Sequence, residues 1–232
     1  MRLVTWNLNK RTPRCIDLLH QLSADILVLQ EVHHDHLGVA SGDAYRERWR
    51  QAPSGKTFGV VVRAGLYLSD IDETPLPWCV PVKVQGDGLE FHLISMWALS
   101  RSAGIPAYSA QLAATIDRYA RPDLGPLVIA GDMNASAHQG TAKAHLANIA
   151  KLRERGFESA YHWSHGHADA DEVPTTLRWA NQPTTAFHCD FVFIPPQWQL
   201  KGTSVSLGDP EVIFGGGLSD HLPVIVDVPL GR

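Results

Sequence analysis

Short apolar runs recur along the chain and predict most of its strands. Runs of about four to eight residues rich in Val, Ile, Leu and aromatic side chains are typical of strands buried on both faces of a sheet. Because amphipathic stretches and turn-rich loops separate the runs, α and β elements are expected to mix along the whole chain. The runs predict strands over residues 2–8, 26–31, 57–63, 89–97, 126–131, 187–194 and 222–228.

Amphipathic segments predict three helices. Thr12 followed by Pro13 is a helix-start signal, since proline is favoured in the first turn, and apolar residues then recur at helical spacing. The same spacing predicts helices over 108–119 and 146–156. The strands between the proline- and glycine-rich breaks are too short to stand as separate domains. Residues 1–232 are therefore predicted to form one α/β domain.

Net charge limits the partners that the chain is expected to bind. The 232 residues carry a formal charge of −4, with 20 Lys and Arg against 24 Asp and Glu, and the basic residues do not cluster. Strong non-specific attraction to nucleic acid or anionic lipid relies on basic patches, so the charge weakens the case for a nuclease. It does not exclude one, because a bound metal ion can neutralise phosphate locally.

Cysteine usage and the first residues indicate a cytoplasmic protein. Cys15, Cys79 and Cys189 are widely spaced and odd in number, which favours reduced thiols. Met1 leads directly into a strand without a signal-peptide pattern, and no run approaches the roughly 18 apolar residues of a membrane span. We expect no membrane association, and no obligate protein partner is predicted.

Polar residues lie where the predicted strands end. The run 126–130 delivers the turn Gly131-Asp132-Met133-Asn134, which places a carboxylate and a carboxamide at the end of a buried strand. A lone Asp in such a turn is ordinarily structural, because it bonds its own backbone. A series in the same setting is harder to explain in that way. The series comprises Asn7, Glu31, Asp132, Asn134, Asp190, Asp220 and His221.

This ordered set closely resembles the endonuclease/exonuclease/phosphatase superfamily, the DNase I-like phosphoesterases. The resemblance spans nearly the whole chain and implies a four-layer α/β sandwich, in which two mixed β-sheets pack face to face with helices outside. Glu158–His162 and Pro174–Leu177 also look like segments of the bacterial small-hydrolase branch. The motifs that carry the resemblance are Trp6-Asn7-Leu8-Asn9, Gln30-Glu31, Gly131-Asp132-Met133-Asn134, His188-Cys189-Asp190-Phe191 and Ser219-Asp220-His221.

The resemblance implies a site for a hard divalent cation. Glu31 would be the main carboxylate ligand of Mg²⁺, for which Mn²⁺ is a substitute, because these ions prefer oxygen ligands. Asn7 would lie beside the ion, and Asp220 would bind it directly or through water. Asn9 stands where some members have an acidic residue, so a second tightly bound ion is not expected.

The resemblance also assigns the groups that act on the phosphate. Asp132 would orient and deprotonate the attacking water, and Asn134 would donate its amide hydrogens to a phosphate oxygen. Asp190 would hold His221 in one tautomer and favour its protonated form, because a neighbouring carboxylate raises the pKa of histidine. These groups, together with Asn7, are the predicted catalytic residues.

Trp97 departs from the family pattern, in which a histidine or tyrosine at this strand end touches the phosphate. Its indole would donate its N–H to phosphate, stack on the substrate, or pack in the core. Tyr108 from the following segment is an alternative source of the phosphate contact. Thr176, in the second bacterial-type segment, is a further candidate for substrate binding.

Two histidine-rich tracts and a glycine run are expected to have no role in chemistry. His33-His34-Asp35-His36 is predicted to be a solvated loop, because consecutive residues seldom converge on one tetrahedral metal centre. The tract 162–171 is flexible enough to bind a metal ion adventitiously, but a substrate-facing or merely exposed loop is the favoured interpretation. Gly215–Gly217 precedes no helix start, which favours a mobile loop over a phosphate cradle.

The sequence therefore predicts a Mg²⁺-dependent phosphoesterase, and most specifically a nuclease that hydrolyses phosphodiester bonds by in-line attack of water. A phosphatase or small-molecule phosphodiesterase of the same fold is the alternative within the enzyme class. A non-catalytic nucleic-acid-binding regulator is the third hypothesis, and retention of the polar series argues against it. The expected partner is a phosphate ester, with nucleic acid as the first choice.

Overall fold

The computed structural model describes residues 1–33, 35, 45–102, 104–140, 142–182 and 184–230. Two six-stranded sheets and four α-helices make up most of this part of the chain. The helices are α1 (Thr12–Gln21), α2 (Tyr108–Tyr119), α3 (Ala142–Glu154) and α4 (Ala160–His165). The strands are β1 (Arg2–Asn7), β2 (Ile26–Val32), β3 (Tyr45–Gln51), β4 (Thr57–Arg63), β5 (Tyr67–Asp70), β6 (Cys79–Gly86), β7 (Leu89–Trp97), β8 (Leu127–Asp132), β9 (Glu158–Ser159), β10 (Leu177–Arg178), β11 (Ala186–Phe187), β12 (Asp190–Ile194), β13 (Ser204–Leu207) and β14 (Val224–Asp227).

Both large sheets are mixed. The first has the order β13-β14-β1-β2-β4-β3, and the second has the order β5-β6-β7-β8-β12-β9. Each contains one parallel pair near its centre, β1 with β2 and β7 with β8, while the flanking strands are antiparallel. Strands β10 and β11 form a separate two-stranded ladder.

The two sheets pack face to face through a shared apolar core. Phe58 and Val60 of the first sheet belong to the same buried cluster as Leu93 and Ile129 of the second. The Phe58 ring also meets the Trp97 ring edge-on, with centroids 5.8 Å apart. This contact crosses from one sheet to the other.

Helices cover the outer faces of the sheets. Cys15 and Leu19 of α1 join a second buried cluster with Trp6 of the first sheet. Leu112 of α2 and Ile149 of α3 pack in the core cluster that contains the second sheet. The predicted four-layer sandwich of two mixed sheets with helices outside is confirmed.

The parallel pairs explain why the polar residues lie at one edge. In a parallel pair both carboxyl ends reach the same edge, so Asn7 and Gln30 are Cα partners at the ends of β1 and β2. Trp97 and Asp132 are partners at the ends of β7 and β8 in the same way. A hydrogen bond of 2.9 Å from Asn7 Nδ2 to Asp132 Oδ2 joins the two edges.

The predicted strands are confirmed, but the run 187–194 is divided in two. Its middle residues, His188 and Cys189, separate β11 from β12. The sequence analysis missed β3, which is polar, and β6, in which Pro81 interrupts an otherwise strand-like pattern. It also missed the short strands β5, β9, β10 and β13.

The three cysteines are free and buried. None of the helices in the described ranges combines the length and apolar character that crossing a membrane requires.

Candidate active site

Two carboxylates and an imidazole converge at the edge where β8 ends and β12 begins. Asp190, the first residue of β12, lies opposite Asp132, the last residue of β8. One ligand atom from each of Asp132, Asp190 and His221 lies within 4.8 Å of the other two. His221 Nδ1 is 2.9 Å from Asp190 Oδ2, and both side chains are buried. These three residues form the central cluster of the candidate site.

The pKa values of Asp132 and His221 are both raised, although burial acts on the two groups in opposite directions. Burial raises the pKa of Asp132, and the nearby Asp190 carboxylate raises it further, while His221 opposes both. Burial lowers the pKa of His221, but the carboxylates of Asp190 and Asp132 outweigh burial and raise that pKa. The imidazole is therefore held as imidazolium through the neutral pH range.

Two amide side chains fix the Asp132 carboxylate. Asn7 Nδ2 donates to Oδ2, and the backbone N–H of Asn134 donates to Oδ1 at 2.8 Å. Asn134 adopts a left-handed conformation with φ of 47°, which asparagine tolerates well. Its side-chain amide donates to Ala98 O at 2.9 Å and to Asp132 Oδ2 at 3.1 Å. The side-chain amide of Asn134 is thus engaged by hydrogen bonds to Asp132 and Ala98.

The turn before Asn134 depends on a glycine. A Cβ at Gly131 would lie 1.8 Å from the carbonyl oxygen of Met96 on the neighbouring strand β7. The glycine also has φ of 142°. Only the absence of a side chain lets β7 and β8 approach each other here, and this approach places Asp132 beside Trp97.

Hydroxyl groups hold the backbone beneath the cluster. Ser219 Oγ donates to Asn7 O at 2.7 Å and accepts from the backbone N–H of His221 at 3.1 Å. Thr176 Oγ1 accepts from the backbone N–H groups of Cys189 and Asp190 at 3.0 and 3.1 Å. Thr176 was predicted to bind substrate, but it is fully buried, and its hydroxyl instead positions Asp190.

Glu31 and Asp220 supply further oxygen atoms. Glu31 lies where an irregularity in the β2–β4 ladder shifts the register, and it has φ of 54°. Such bulges re-aim side chains near functional sites. Its carboxylate pairs with the ammonium of Lys56. Asp220 Oδ1 is buried and accepts no hydrogen bond from any described residue.

The oxygen donors fit a hard divalent cation. Carboxylates from Glu31 and Asp220 and the carboxamide of Asn7 are the ligand types that Mg²⁺ prefers. Two observations are consistent with a cation at this edge, namely the Asp220 oxygen without a donor within the described segments and the ammonium on Glu31. Glu31 and His221 lie at the same edge, linked through Asn7, Asp132 and Ser219.

A cleft of about 480 Å³ opens beside the cluster. Trp97 is only 5% exposed, and its Nε1 is buried without an acceptor among the residues described. The ammonium of Lys56 lies 5.4 Å from the Trp97 ring centroid. Trp97 therefore packs in the core and also lines the wall of the cleft. The cleft is lined by Glu31, Ala52, Pro53, Ser54, Lys56, Trp97, Ala98, Leu99, Ser100, Arg101, Ser102, Ile105, Tyr108, Asn134 and Trp179.

Sequence reasoning missed Lys56 and Trp179 as cleft residues. Lys56 follows a Ser-Gly turn at the start of β4, and an isolated lysine there gives no signal. Trp179 is 60% exposed, and only the cost of exposing so large a side chain could have drawn attention to it. Tyr108, the alternative candidate for the phosphate contact, lines the cleft, with its hydroxyl 3.4 Å from Ser100 Oγ.

The structure changes the interpretation of the second histidine tract and of the glycine run. His162 and His165 lie in α4, not in a loop, and His162 is buried. Gly217 O accepts a hydrogen bond of 2.7 Å from Arg11 Nη1, so this segment packs against the start of α1. His34 and His36 of the first tract lie outside the described residues.

Comparison with known proteins decides the family. Residues 4–221 match the model of the endonuclease/exonuclease/phosphatase family. The chain belongs to this family. The predicted resemblance is thereby confirmed, while a comparison with curated proteins finds no match.

Solved structures of the endonuclease/exonuclease/phosphatase fold align over almost the whole chain. A family protein from Bacteroides vulgatus is 19% identical, with 99% of this chain and 98% of that one covered and a TM-score of 0.69. An AP endonuclease from Archaeoglobus fulgidus is 15% identical, with 99% and 100% covered and a TM-score of 0.69. A 3′ phosphatase from Neisseria, bound to a product DNA hairpin, is 17% identical, with 99% and 100% covered and a TM-score of 0.68.

Proposed function

We propose that this protein is a Mg²⁺-dependent phosphoesterase that hydrolyses phosphodiester bonds in nucleic acid, and that residues 1–232 form a single domain of the family. The observation that carries the proposal is the buried cluster of Asp132, Asp190 and His221, joined through Asn7 to the edge that bears Glu31. A scaffold protein has no need of this arrangement, because burying two carboxylates costs free energy unless charge or chemistry compensates it.

We assign Glu31, Asp220 and Asn7 to the metal, with Mn²⁺ as a substitute for Mg²⁺. The bound ion supplies charge neutralisation at the phosphate and lowers the pKa of water. Binding requires the ammonium of Lys56 to leave the Glu31 carboxylate. The displaced ammonium remains on the cleft wall, where it can meet a phosphate oxygen.

Asp132 accepts the proton of the attacking water in this proposal. Its raised pKa makes it a better base at neutral pH than an exposed carboxylate, because a base is most effective when its pKa lies near the working pH. Asn7 and Asn134 hold the carboxylate in place. For Asn134 to donate to phosphate, its amide must release one of the two acceptors that it now contacts.

His221 presents a positive charge to the phosphoryl group. Because Nδ1 is engaged by Asp190, we assign the proton on Nε2 to the phosphate oxygen. An imidazolium in a buried site stabilises the charge that develops in the transition state more strongly than it would in water. Asp190 acts through His221 by fixing its tautomer and its charge.

The cleft favours a nucleotide unit as the group next to the scissile phosphate. Trp179 and Tyr108 offer aromatic faces for a base, and Lys56 and Arg101 offer positive charge for the backbone. Two aligned relatives are an AP endonuclease and a phosphatase bound to DNA, which supports nucleic acid as the substrate class. The same 3′ phosphatase supports phosphomonoester hydrolysis as the second candidate function.

The decisive experiment measures hydrolysis with and without metal. Bis-p-nitrophenyl phosphate, p-nitrophenyl phosphate, duplex DNA, single-stranded DNA, abasic DNA and RNA are incubated with Mg²⁺, with Mn²⁺ or with chelator. We expect metal-dependent cleavage of diesters, and loss of at least 10²-fold in Glu31→Gln and His221→Gln. Glu73→Gln and His20→Gln, which alter exposed residues of the same types, are the matched controls.

Two outcomes would replace the proposal. Hydrolysis of monoesters alone would make the protein a phosphatase. An intact fold with no metal-dependent turnover of any ester would favour the non-catalytic regulator instead.

A further inference from the structure

A second group of titratable side chains is buried outside the active site. His145, His162, His188 and Glu172, here called the histidine cluster, are each 5% exposed or less. They come from α3, from α4, from the connection between β11 and β12, and from the segment after α4. Four separate pieces of chain therefore bring three imidazoles and a carboxylate into the interior, where such groups are uncommon unless they are paired.

Several atoms of the histidine cluster are buried without a hydrogen bond. Neither ring nitrogen of His188, nor Nδ1 of His145, nor Oε2 of Glu172 has a hydrogen-bond partner among the described residues. Leaving buried polar atoms without partners is unfavourable, and native structures ordinarily satisfy them with protein groups, water or ions. Three ring nitrogens, from two imidazoles, and one carboxylate oxygen therefore lack a hydrogen-bond partner among the described residues of this region.

His162 holds the other side of the Glu172 carboxylate. Its Nδ1 lies 2.8 Å from Ser159 Oγ, and its Nε2 lies 3.1 Å from Glu172 Oε1. This arrangement leaves Oε2 as the oxygen that can bind something else. A carboxylate oriented by a histidine in this way is common around protein metal ions, where second partners fix the ligands.

The protonation states suit a metal ligand set. Burial lowers the pKa of His145 to about 4, so its imidazole is neutral at pH 7. Burial raises the pKa of Glu172, but the hydrogen bond from His162, the nearby imidazoles of His188 and His162 and a backbone hydrogen bond together outweigh burial and bring that pKa to about 2. Metal ions bind neutral imidazole and ionised carboxylate, and these are the forms present.

Aromatic packing explains the position of the His188 ring, but it does not explain the burial of its two ring nitrogens without hydrogen-bond partners among the described residues. Its ring lies between Tyr161 and Phe191, with centroid distances of 4.8 and 5.0 Å. A phenylalanine would pack as well at this place without leaving two nitrogens unpartnered by described groups. Packing therefore does not explain why this residue has two polar ring nitrogens.

We propose that His145, His188 and Glu172 bind one transition-metal ion of the Zn²⁺ class, at a site separate from the catalytic Mg²⁺ site. Two imidazoles and a carboxylate suit Zn²⁺ better than Mg²⁺, which prefers an all-oxygen set. His138, whose Nε2 lies 3.8 Å from Glu172 Oε2 and whose side chain is 44% exposed, is the fourth ligand at the solvent side. His162 orients Glu172 without contacting the ion.

Metal binding draws the ligands together. Among the described residues, Asp132, Asp190 and His221 are the only group of three His, Cys, Asp or Glu residues whose ligand atoms already lie within 4.8 Å of one another. The rings of the histidine cluster must therefore rotate inward to reach a common ion. Such an ion would cross-link α3 to the connection that ends at Asp190, two residues beyond His188.

The test uses the full chain with the catalytic metal ligands removed. The variant Glu31→Gln/Asp220→Asn keeps the histidine cluster intact and removes the carboxylates assigned to Mg²⁺. After dialysis against chelator, Co²⁺ is titrated as a spectroscopic probe, and Zn²⁺ binding is followed by competition. We expect one equivalent to bind, with the intense visible bands of a four-coordinate Co²⁺ site, and excess Mg²⁺ not to displace it.

Further substitutions in that background locate the ion. His188→Gln, His145→Gln and Glu172→Gln are each expected to weaken Zn²⁺ binding at least about 100-fold, and His162→Gln about 10- to 100-fold. His20→Gln, on the exposed surface of α1, is the control and should bind like its parent. Far-UV circular dichroism establishes that each variant is folded.

Two results would overturn the proposal. One is failure of the Glu31→Gln/Asp220→Asn variant, whose histidine cluster is unaltered, to bind Zn²⁺ or Co²⁺ at about 0.1 mM, far weaker than protein zinc sites. The other is retention of full Zn²⁺ affinity by the folded His188→Gln and Glu172→Gln variants. Neither result bears on phosphoesterase activity, which is measured separately with Mg²⁺.

Discussion

Replacing the Thr176 hydroxyl tests whether this residue positions Asp190 or binds substrate. Thr176→Val keeps the shape of the side chain and removes the one oxygen that accepts from the backbone N–H groups of Cys189 and Asp190. The site is fully buried, so water cannot replace that oxygen without a rearrangement. The substitution therefore leaves two buried donors without their acceptor.

The expected cost follows from those two donors. Each buried N–H left without a partner costs about 1–3 kcal/mol, and the additional methyl group of valine recovers about 1 kcal/mol of that. We expect Thr176→Val to lower the free energy of unfolding by about 1–5 kcal/mol. For a chain of this size the melting temperature should fall by roughly 2–20 °C. Thr176→Ser keeps the acceptor and loses one methyl group, so it should cost only about 1 kcal/mol.

Urea unfolding and steady-state kinetics together separate the two roles. Because Asp190 holds His221, a displaced Asp190 should lower kcat while KM changes little. A substrate contact would instead raise KM and leave stability unchanged. If Thr176→Val is as stable as Thr176→Ser, the argument from the two hydrogen bonds is wrong.

Three further predictions concern charge. Asp190→Asn should lower the pKa of His221, so the loss of activity as pH rises should begin at lower pH than in the parent, and a pH–rate profile with the same alkaline limb would contradict the assigned pairing. Lys56→Met frees the Glu31 carboxylate and should lower the Mg²⁺ concentration for half-maximal activity about two- to fivefold, as expected from an ion pair worth up to about 1 kcal/mol. An unchanged Mg²⁺ requirement would mean that the lysine does not compete with the metal. Asp72→Asn should destabilise the protein at pH 7, because hydrogen bonds from a neighbouring arginine hold the pKa of Asp72 at about 2 against an ordinary 3.8. This stabilisation is present above pH 3.8 and is lost as the pH falls towards 2. The urea midpoints of the parent and the variant should therefore converge over that pH interval.

Continuous apolar runs predicted the central strands because those strands are buried on both faces. Strand β8 is buried along its whole length, and its sequence begins with the continuous apolar run Leu127–Ala130. The polar residues that follow such strands meet for a topological reason. Once β1 and β2 are parallel, Asn7 and Glu31 must reach the same edge, and the residue pattern alone implies this.

Edge strands and short elements could not be predicted in the same way. Strand β3 is an edge strand that pairs with β4 alone among the described strands, and its charged side chains leave no continuous apolar run in its sequence. Helix α4 is six residues long, too short for its periodicity to be read. The burial of His162 depends on Glu172 and Ser159, which approach it through tertiary packing. Composition marks these residues as polar and therefore predicts the wrong environment.

Net charge is a poor guide to what this protein binds, because the relevant quantity is the local sum around the site. The chain carries −4 overall, yet its acidic groups at the cleft already draw in the Lys56 ammonium. Glu31, Asp132, Asp190 and Asp220 supply up to four negative charges at one edge, against which Lys56 and the His221 imidazolium supply two. A bound phosphate diester would bring a further negative charge to this edge. A divalent cation would restore the balance, so the electrostatics of this site support the proposed metal dependence.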